Sequence, residues 1–136
     1  AVLEIIIAYT GTRSYAGKTV RGHSLQAAII ADMAIGIEAA RAFYLSVASM
    51  FNNRKNYGNP GDDYLMARSS AAKVYSCDMT ERVCNKAMEL MGSYGYVREY
   101  HVEKYLRDSK IIQLWLGGGQ LGRLDVAQSY YPYVTE

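Results

Sequence analysis

The sequence predicts an all-α fold, an antiparallel four-helix bundle with an additional C-terminal helix. Two long segments and two short ones carry apolar residues at the helical spacing of three and four, and residues 1–12 have the composition of one more helix. No segment alternates apolar and polar residues as a half-buried strand would. Long helices joined by short connections pack side by side, which favours a bundle.

The first long helix is predicted over residues 24–52. Its apolar face contains Leu25, Ala28, Ile29, Met33, Gly36, Ala40, Phe43, Val47 and Met50. Ser24 is a suitable N-cap because its hydroxyl can accept a hydrogen bond from a free amide of the first turn. Residues 52–63 are rich in glycine, asparagine and aspartate and are predicted as a loop.

The second long helix is predicted from about Tyr64 to Met91, with two apolar stripes. One stripe contains Ala72, Tyr75, Met79, Val83, Ala87 and Leu90, and the other contains Val74, Cys77, Cys84, Met88 and Met91. A helix that is apolar on two sides has to bury both of them. We therefore expect the chain to self-associate.

The other segments are shorter. Residues 1–12 are predicted as the remnant of a first helix, 92–100 as a loop and 102–113 as a short helix. Glycines at 117–119 are predicted to break the chain before a last helix at about 120–129. Residues 1–136 are expected to form one domain, too short for two. The chain begins inside a predicted helix, so we expect it to be part of a longer protein.

Composition excludes several classes of function. The formal net charge of +2 offers no basic stripe for nucleic acid. No apolar run approaches the roughly 20 residues that span a bilayer, and the N-terminus lacks the basic region of a secretory signal. We therefore expect no nucleic-acid partner and no membrane association.

The cysteines and histidines indicate neither a disulfide nor a metal site. Cys77 and Cys84 are seven residues apart on one predicted helix, which separates them by roughly 10 Å. A disulfide needs Cα atoms within about 7 Å, so we expect two reduced, buried thiols. His23 and His101 have no cysteine or carboxylate at a ligand spacing, so no metal is expected.

A dense motif occupies the C-terminal third. Residues 91–111 read M-G-S-Y-G-Y-V-R-E-Y-H-V-E-K-Y-L-R-D-S-K-I, followed by W-L-G-G-G-Q at 115–120 and by Arg123. This stretch resembles the C-terminal signature of the FAD-dependent acyl-CoA dehydrogenases: a glycine-rich turn, an E-Y-P-V-E-R-x-x-R-D-x-K-I run and an E-G-T-x-x-x-x-R turn. Residues 13–18, R-S-Y-A-G-K, are similar to the family's R-x-Q-F-G-K. Glu103 and Arg107 within the run are expected to form a structural i,i+4 pair.

The resemblance implies a set of FAD contacts. Arg13 falls where the family has an arginine that reaches across a subunit interface to the pyrophosphate of FAD, and a guanidinium can hold phosphate in a bidentate grip. Residues 89–93 fall on the family's Q-x-x-G-G, whose backbone lies against the adenine of FAD bound by a neighbouring subunit. Gly118 replaces a cofactor-binding threonine. The implied cofactor-binding residues are Arg13, Glu89, Leu90, Gly92, Ser93, Gly118 and Gln120.

The resemblance also implies a substrate pocket at Trp115, Leu116 and Gly117, with one departure. Where the family has the glutamate that removes the α-proton of the acyl thioester, this chain has Leu116, which cannot accept a proton. Three explanations remain open: the base lies elsewhere, the reaction needs none, or the protein is inactive. Some members of the family carry the base on the first bundle helix, at a position that would precede Ala1, and we favour this explanation over loss of function.

The sequence is thus interpreted as the C-terminal helical-bundle domain of an FAD-dependent acyl-CoA dehydrogenase-like enzyme that oxidises an acyl-CoA to the enoyl-CoA. The resemblance implies FAD as cofactor, a homodimer or homotetramer, and an electron-transfer flavoprotein as acceptor, and we expect a bacterial cytoplasmic location rather than the mitochondrial matrix. The isolated chain is expected to be inactive and to retain FAD poorly. Two alternatives stay open: an inactive helical module for oligomerisation, and a related flavoenzyme with a non-thioester substrate.

Overall fold

The computed structural model describes residues 1–115 and 117–131, and over these residues it confirms the predicted all-α class. The helices are α1 (Val2–Thr12), α2 (Ser24–Asn52), α3 (Arg54–Tyr57), α4 (Asp63–Met91), α5 (Val102–Leu114) and α6 (Gly118–Gln128). Two short strands are β1 (Ser14–Tyr15) and β2 (Lys18–Thr19). Short 3₁₀ segments cover Val20–Gly22, Gly92–Tyr96 and Arg98–Tyr100.

The helix boundaries agree closely with the predicted ones. α2 covers the predicted residues, and α4 begins at Asp63, one residue before the predicted start. α5 ends at Leu114, one residue beyond the prediction. α6 begins at Gly118, earlier than predicted, because the left-handed backbone that breaks the chain is confined to Gly117, with φ of 83°, and Gly118, with φ of 68°.

Ser24 is not the N-cap of α2. The helix begins at Ser24 itself, and the carbonyl of His23 accepts the amide of Ala27 at 2.9 Å. His23 therefore occupies the capping position, because the carbonyl of the N-cap accepts the first bond of the helix.

The strands are a departure from the sequence prediction. β1 and β2 pair antiparallel, with Ser14 opposite Thr19 and Tyr15 opposite Lys18. The two residues between the strands have positive φ, 46° at Ala16 and 77° at Gly17. Such a two-residue turn matches the twist of a hairpin. The sequence Ala-Gly is a weaker hairpin signal than Asn-Gly, which is why the pattern did not indicate strands.

The predicted loop over residues 52–63 contains one helical turn, α3. The carbonyl of Asn53 accepts the amide of Tyr57 at 3.2 Å, and that of Arg54 accepts the amide of Gly58 at 2.9 Å. Gly58, with φ of 90°, ends the turn. A single turn is too short to leave a periodic apolar pattern in the sequence.

The chain divides into two compact units. The first comprises Ala1–Glu38 and Met79–Ile111, and the second comprises Ala39–Asp78 and the described residues from Ile112 onward. In the first unit, segments of α1, α2, α4 and α5 surround one apolar core. Its buried members are Val2, Ile6, Met33, Val83, Ala87, Met91 and Val102.

The second unit has its own buried residues on α2 and α4. They are Ala40, Val47, Leu65, Ala67, Ala72, Val74 and Cys77. The ring of Phe43 meets that of Tyr75 edge to face at 5.9 Å between centroids. The apolar face that the sequence predicts for α2 is buried at Met33, Gly36, Ala40 and Val47. Its first members are exposed, however, with Leu25 at 70%.

Both predicted stripes of α4 are largely buried within the chain. Val83 and Ala87 of the first stripe and Cys84 and Met91 of the second are all buried, although Tyr75 remains 39% exposed. Because the chain itself covers both stripes, they do not by themselves require a second copy. The prediction that the chain self-associates therefore rests on the family resemblance alone.

Cys77 and Cys84 are free and buried, as predicted. Burial raises the pKa of both thiols, and for Cys84 a hydrogen bond with Ser109 partly opposes this effect. The reactive thiolate is therefore scarce at neutral pH. We expect both thiols of the folded protein to react with iodoacetamide at least about tenfold more slowly than in the unfolded chain. Rapid labelling of both in the folded state would contradict their assignment to the core.

Within the part of the chain that the structure describes, no helix is long and apolar enough to cross a bilayer. The same residues contain no group of three or more histidine, cysteine or acidic side chains close enough to hold a metal ion.

Candidate cofactor and substrate site

Arg13 follows the last residue of α1 and is held by its backbone on both sides. Its amide donates to the carbonyl of Tyr9 at 3.0 Å, and its carbonyl accepts the amide of Val20 at 2.9 Å. The first bond ends the helix, and the second ties Arg13 to the 3₁₀ segment after the hairpin. The backbone from which the Arg13 side chain extends is therefore fixed.

Three tyrosine rings form a cluster beside Arg13. Tyr9 and Tyr94 have centroids 6.2 Å apart, Tyr9 and Tyr100 are 5.8 Å apart, and Tyr94 and Tyr100 are 5.7 Å apart. The two contacts of Tyr100 are edge to face, the arrangement that aromatic quadrupoles favour. Tyr9 and Tyr100 also pack against the core of the first unit. We call these three residues the tyrosine cluster.

The guanidinium of Arg13 lies over the ring of Tyr94, with its Cζ atom 4.3 Å from the ring centroid. This is a cation–π contact, and Arg13 remains exposed to solvent. Hydrogen bonding with Tyr9, followed by that with Tyr94, raises the pKa of Arg13. Arg13 is therefore positively charged at every physiological pH.

Tyr94 belongs to the 3₁₀ segment Gly92–Tyr96, which carries two predicted site residues. Gly92 has φ of 58°, and a Cβ atom built on it would meet nothing within 4 Å. Ser93 is exposed. An open glycine lets another molecule approach the backbone closely. The structure thus brings Arg13 and the Gly92–Ser93 turn together, which the sequence predicts only by family resemblance.

The remaining predicted residues of this turn are engaged within the first unit. The carboxylate of Glu89 accepts a hydrogen bond from Lys86 at 2.7 Å. The side chain of Leu90 packs against the core. Leu90 is only partly buried there.

His23 lies beside the hairpin. Its ring stacks on Tyr15 with 4.0 Å between centroids, and its Nε2 atom is 3.1 Å from the Tyr15 carbonyl. Since a carbonyl only accepts, Nε2 is the donor. His23 thus holds the hairpin through its ring and its Nε2 atom.

The predicted substrate residues surround the turn between α5 and α6, in the second unit. Leu116 lies outside the described residues. Trp115 is 67% exposed, and its carbonyl accepts a hydrogen bond from the ammonium of Lys73 at 2.9 Å. Gly118 is buried, whereas Gln120 is exposed.

Asp78 of α4 ties together the two sides of this turn. One carboxylate oxygen accepts a hydrogen bond from the side-chain amide of Gln113 at 2.9 Å, and the other accepts one from the guanidinium of Arg123. Gln113 lies before the turn and Arg123 after it, so one carboxylate fixes both. Sequence reasoning did not find Lys73 or Asp78, because each is more than 30 residues from its partners and no local spacing links them.

Two acidic residues near the motif have structural partners. Glu103 pairs with Arg107 at 2.9 Å, which confirms the predicted i,i+4 pair. Asp125, in α6, accepts the hydroxyl of Ser70 at 2.5 Å.

The chain is helical, has Arg13 beside the open Gly92–Ser93 turn, and has a second turn held by Lys73 and Asp78. A chain with these features matches a known class of domain. The sequence model of the family described as "Acyl-CoA dehydrogenase, C-terminal domain" matches residues 1–131. The chain belongs to this family.

Named relatives agree with this assignment. The chain is 31% identical over 125 residues to the caffeyl-CoA reductase-Etf complex subunit CarC of Acetobacterium woodii, covering 92% of this chain and 31% of the relative. It is 32% identical over 127 residues to a probable acyl-CoA dehydrogenase of Mycobacterium tuberculosis, covering 93% and 31%. The solved structure of butyryl-CoA dehydrogenase from Megasphaera elsdenii superposes with a TM-score of 0.82 at 28% identity, covering 95% and 32%. The chain therefore spans about a third of the length of these relatives.

Proposed function

We propose that this chain is the C-terminal helical-bundle domain of an FAD-dependent acyl-CoA dehydrogenase, and that the complete enzyme oxidises an acyl-CoA to the enoyl-CoA. Family membership supports the class of reaction. The observation that carries the proposal is the contact of Arg13 with Tyr94, because it places an exposed, permanently charged guanidinium at an open glycine turn. A cation beside accessible backbone is suited to a phosphate-containing cofactor.

The described residues fit one part of FAD. Arg13 would hold the pyrophosphate, and the backbone at Gly92 and Ser93 would lie against the adenosine half. A side chain at Gly92 would fill the open space that the backbone leaves there. Gly118 and Gln120, in the second unit, would contact the cofactor separately. When bound, FAD supplies a hydride acceptor; the protein contributes binding and orientation.

The α-proton of the thioester must be removed by a base, and leucine at position 116 cannot accept it. We propose that the base belongs to sequence outside these 136 residues. Trp115 and Gly117, on either side of Leu116, would line the acyl pocket, with the turn held by Lys73 and Asp78.

The complete enzyme is proposed to work as a bacterial cytoplasmic homodimer or homotetramer in which Arg13 serves the FAD of a neighbouring subunit. An electron-transfer flavoprotein is the proposed acceptor. The name of the Acetobacterium relative places that protein in a complex with Etf, which supports this choice of partner.

Leu116 also favours a second candidate function, a helical-bundle module that has lost its catalytic base and serves oligomerisation. A further alternative is a related flavoenzyme with a non-thioester substrate. These differ from the first proposal in whether acyl-CoA reduces the flavin.

The test is anaerobic bleaching of bound flavin in the complete protein on addition of a panel of acyl-CoA thioesters. We expect the parent to bleach with at least one thioester. Leu116→Glu should bleach within about tenfold of the parent rate, because a second carboxylate enters a pocket that already has a base; losing a base costs roughly a hundred- to ten-thousand-fold. Leu114→Glu, at an exposed site two residues away, is the matched control for added charge.

Each outcome decides between the proposals. Bleaching by the parent excludes the inactive module. Bleaching seen only in Leu116→Glu would show that the parent lacks a base and would overturn the proposal of a base outside the chain. Flavin that no thioester bleaches in either protein would contradict dehydrogenase function.

A further inference from the structure

We propose that Tyr94 is a positioning residue that orders the Arg13 guanidinium for the pyrophosphate of FAD. This inference rests on the proposed function, since it assigns a role in the same cofactor site. It adds the tyrosine cluster, a device that neither the sequence pattern nor the family motif singles out.

Arg13 is ordered before any ligand arrives. Hydrogen bonds at its own amide and carbonyl fix its backbone, and the ring of Tyr94 supports its side chain. An arginine side chain free in solvent loses rotamer freedom when it binds an anion, and that loss weakens binding. A guanidinium already resting on a ring loses less.

The ring of Tyr94 is itself held in place. Tyr100 meets both Tyr94 and Tyr9 edge to face, with interplanar angles of 82° and 84°. Tyr9 and Tyr100 pack against the core of the first unit. Tyr94 is therefore held by two rings that pack against the core, and it restrains the exposed guanidinium of Arg13.

The contact with Tyr94 leaves N–H donors of Arg13 available for a ligand. The guanidinium lies over the ring of Tyr94 and carries five N–H donors, more than its hydrogen bonds with Tyr9 and Tyr94 require. A bidentate grip on phosphate uses such donors. The tyrosines and a phosphate can thus be engaged at once, because a bidentate grip needs only two of the five donors.

The experiment measures FAD affinity of the complete apoprotein by quenching of FAD fluorescence. Arg13→Ala should weaken binding about tenfold to a hundredfold, the usual effect of losing charged hydrogen bonds. Tyr94→Ala should weaken it about two- to fivefold, the effect of an exposed cation–π contact. Tyr94→Phe keeps the ring face and should remain within about twofold of the parent.

The deciding measurement is Tyr94→Ala in the Arg13→Ala background. If Tyr94 acts through Arg13, its removal there should weaken binding no further. Tyr96→Ala is the matched control, because Tyr96 belongs to the same 3₁₀ segment but is 78% exposed and should leave FAD affinity unchanged. Thermal unfolding of every apoprotein variant checks that the fold is intact.

Equal losses from Tyr94→Ala in both backgrounds would overturn the inference, because Tyr94 would then act through the fold rather than through Arg13. An unchanged affinity in Tyr94→Ala alone would also overturn it while leaving the proposed function standing. A parent apoprotein that binds no FAD would overturn both.

Discussion

Replacing Ile6 with alanine should lower the free energy of unfolding by about 2 to 5 kcal/mol, the usual cost of removing a large aliphatic side chain from a packed core. Ile6 has 0% exposure and lies in the core cluster of the first unit. The removed atoms lose their burial, and the neighbouring helices close the resulting cavity only in part. Urea denaturation of the chain, followed by far-ultraviolet circular dichroism, measures the change.

Ile7→Ala is the matched control. Ile7 is the next residue of α1 and is 42% exposed, so the same change should cost less than about 1 kcal/mol. Equal effects of the two substitutions would mean that α1 does not pack through the face that contains Ile6. The result also bears on the candidate cofactor site, because the packing of α1 places Tyr9 and Arg13 beside Tyr94.

Gly95→Ala should destabilise the chain by about 1 to 3 kcal/mol, the range for overfilling a packed site. A Cβ atom at Gly95 would lie 3.2 Å from both the Cα atom and the carbonyl oxygen of Met88. Backbone atoms cannot rotate out of the way as a flexible side chain does, so the 3₁₀ segment has to shift away from α4 by a few tenths of an ångström. Because the segment carries Tyr94, FAD affinity of the complete protein should fall as well.

Gly61→Ala is the control for Gly95→Ala. A Cβ atom at Gly61 would meet nothing within 4 Å, and its φ is not in the left-handed range. The change should leave stability equal or raise it by up to about 1 kcal/mol, since alanine restricts the unfolded chain. A cost at Gly61 similar to that at Gly95 would contradict the role given to close packing on Met88.

Each of the two units contains its own group of predicted site residues. In the first unit, Arg13 and the Gly92–Ser93 turn meet through Tyr94. In the second, Lys73 and Asp78 anchor the turn that contains the family's base position. The first group is suited to a phosphate-bearing cofactor, and the second lies at the proposed acyl pocket, where leucine at position 116 cannot act as a base.

Local patterns were sufficient to predict every helix except the single turn α3. The start and end of α2 were predicted, as was the end of α4, because the apolar residues of a long helix that packs on other helices recur along its length. The pair Glu103–Arg107 was predictable for the same reason, since its members are one turn apart. The resemblance to the family motif predicted Arg13 and Gly92 as cofactor-binding residues.

His101 shows what a motif leaves undecided. The family's run has proline at this position, whereas His101 has φ of 60°, a value that the proline ring cannot adopt. His101 is thus one of two non-glycine residues with positive φ in the described part of the chain. The motif shows only that histidine replaces proline at this position. The backbone angle shows that the turn before α5 has a conformation that proline could not adopt.

The sequence by itself determined the helical class, the bounds of the two long helices to within one residue, and the membership of the family. Tertiary structure alone decided that Tyr94 supports Arg13, that Asp78 joins Gln113 to Arg123, and that Leu25 at the start of α2 stays exposed. The physical reason is how far apart in the sequence the contacting residues lie. Periodicity records which face of a helix is buried, because that burial repeats every turn; a contact between residues 35 to 81 positions apart arises only when separate helices pack and leaves no repeat in the sequence.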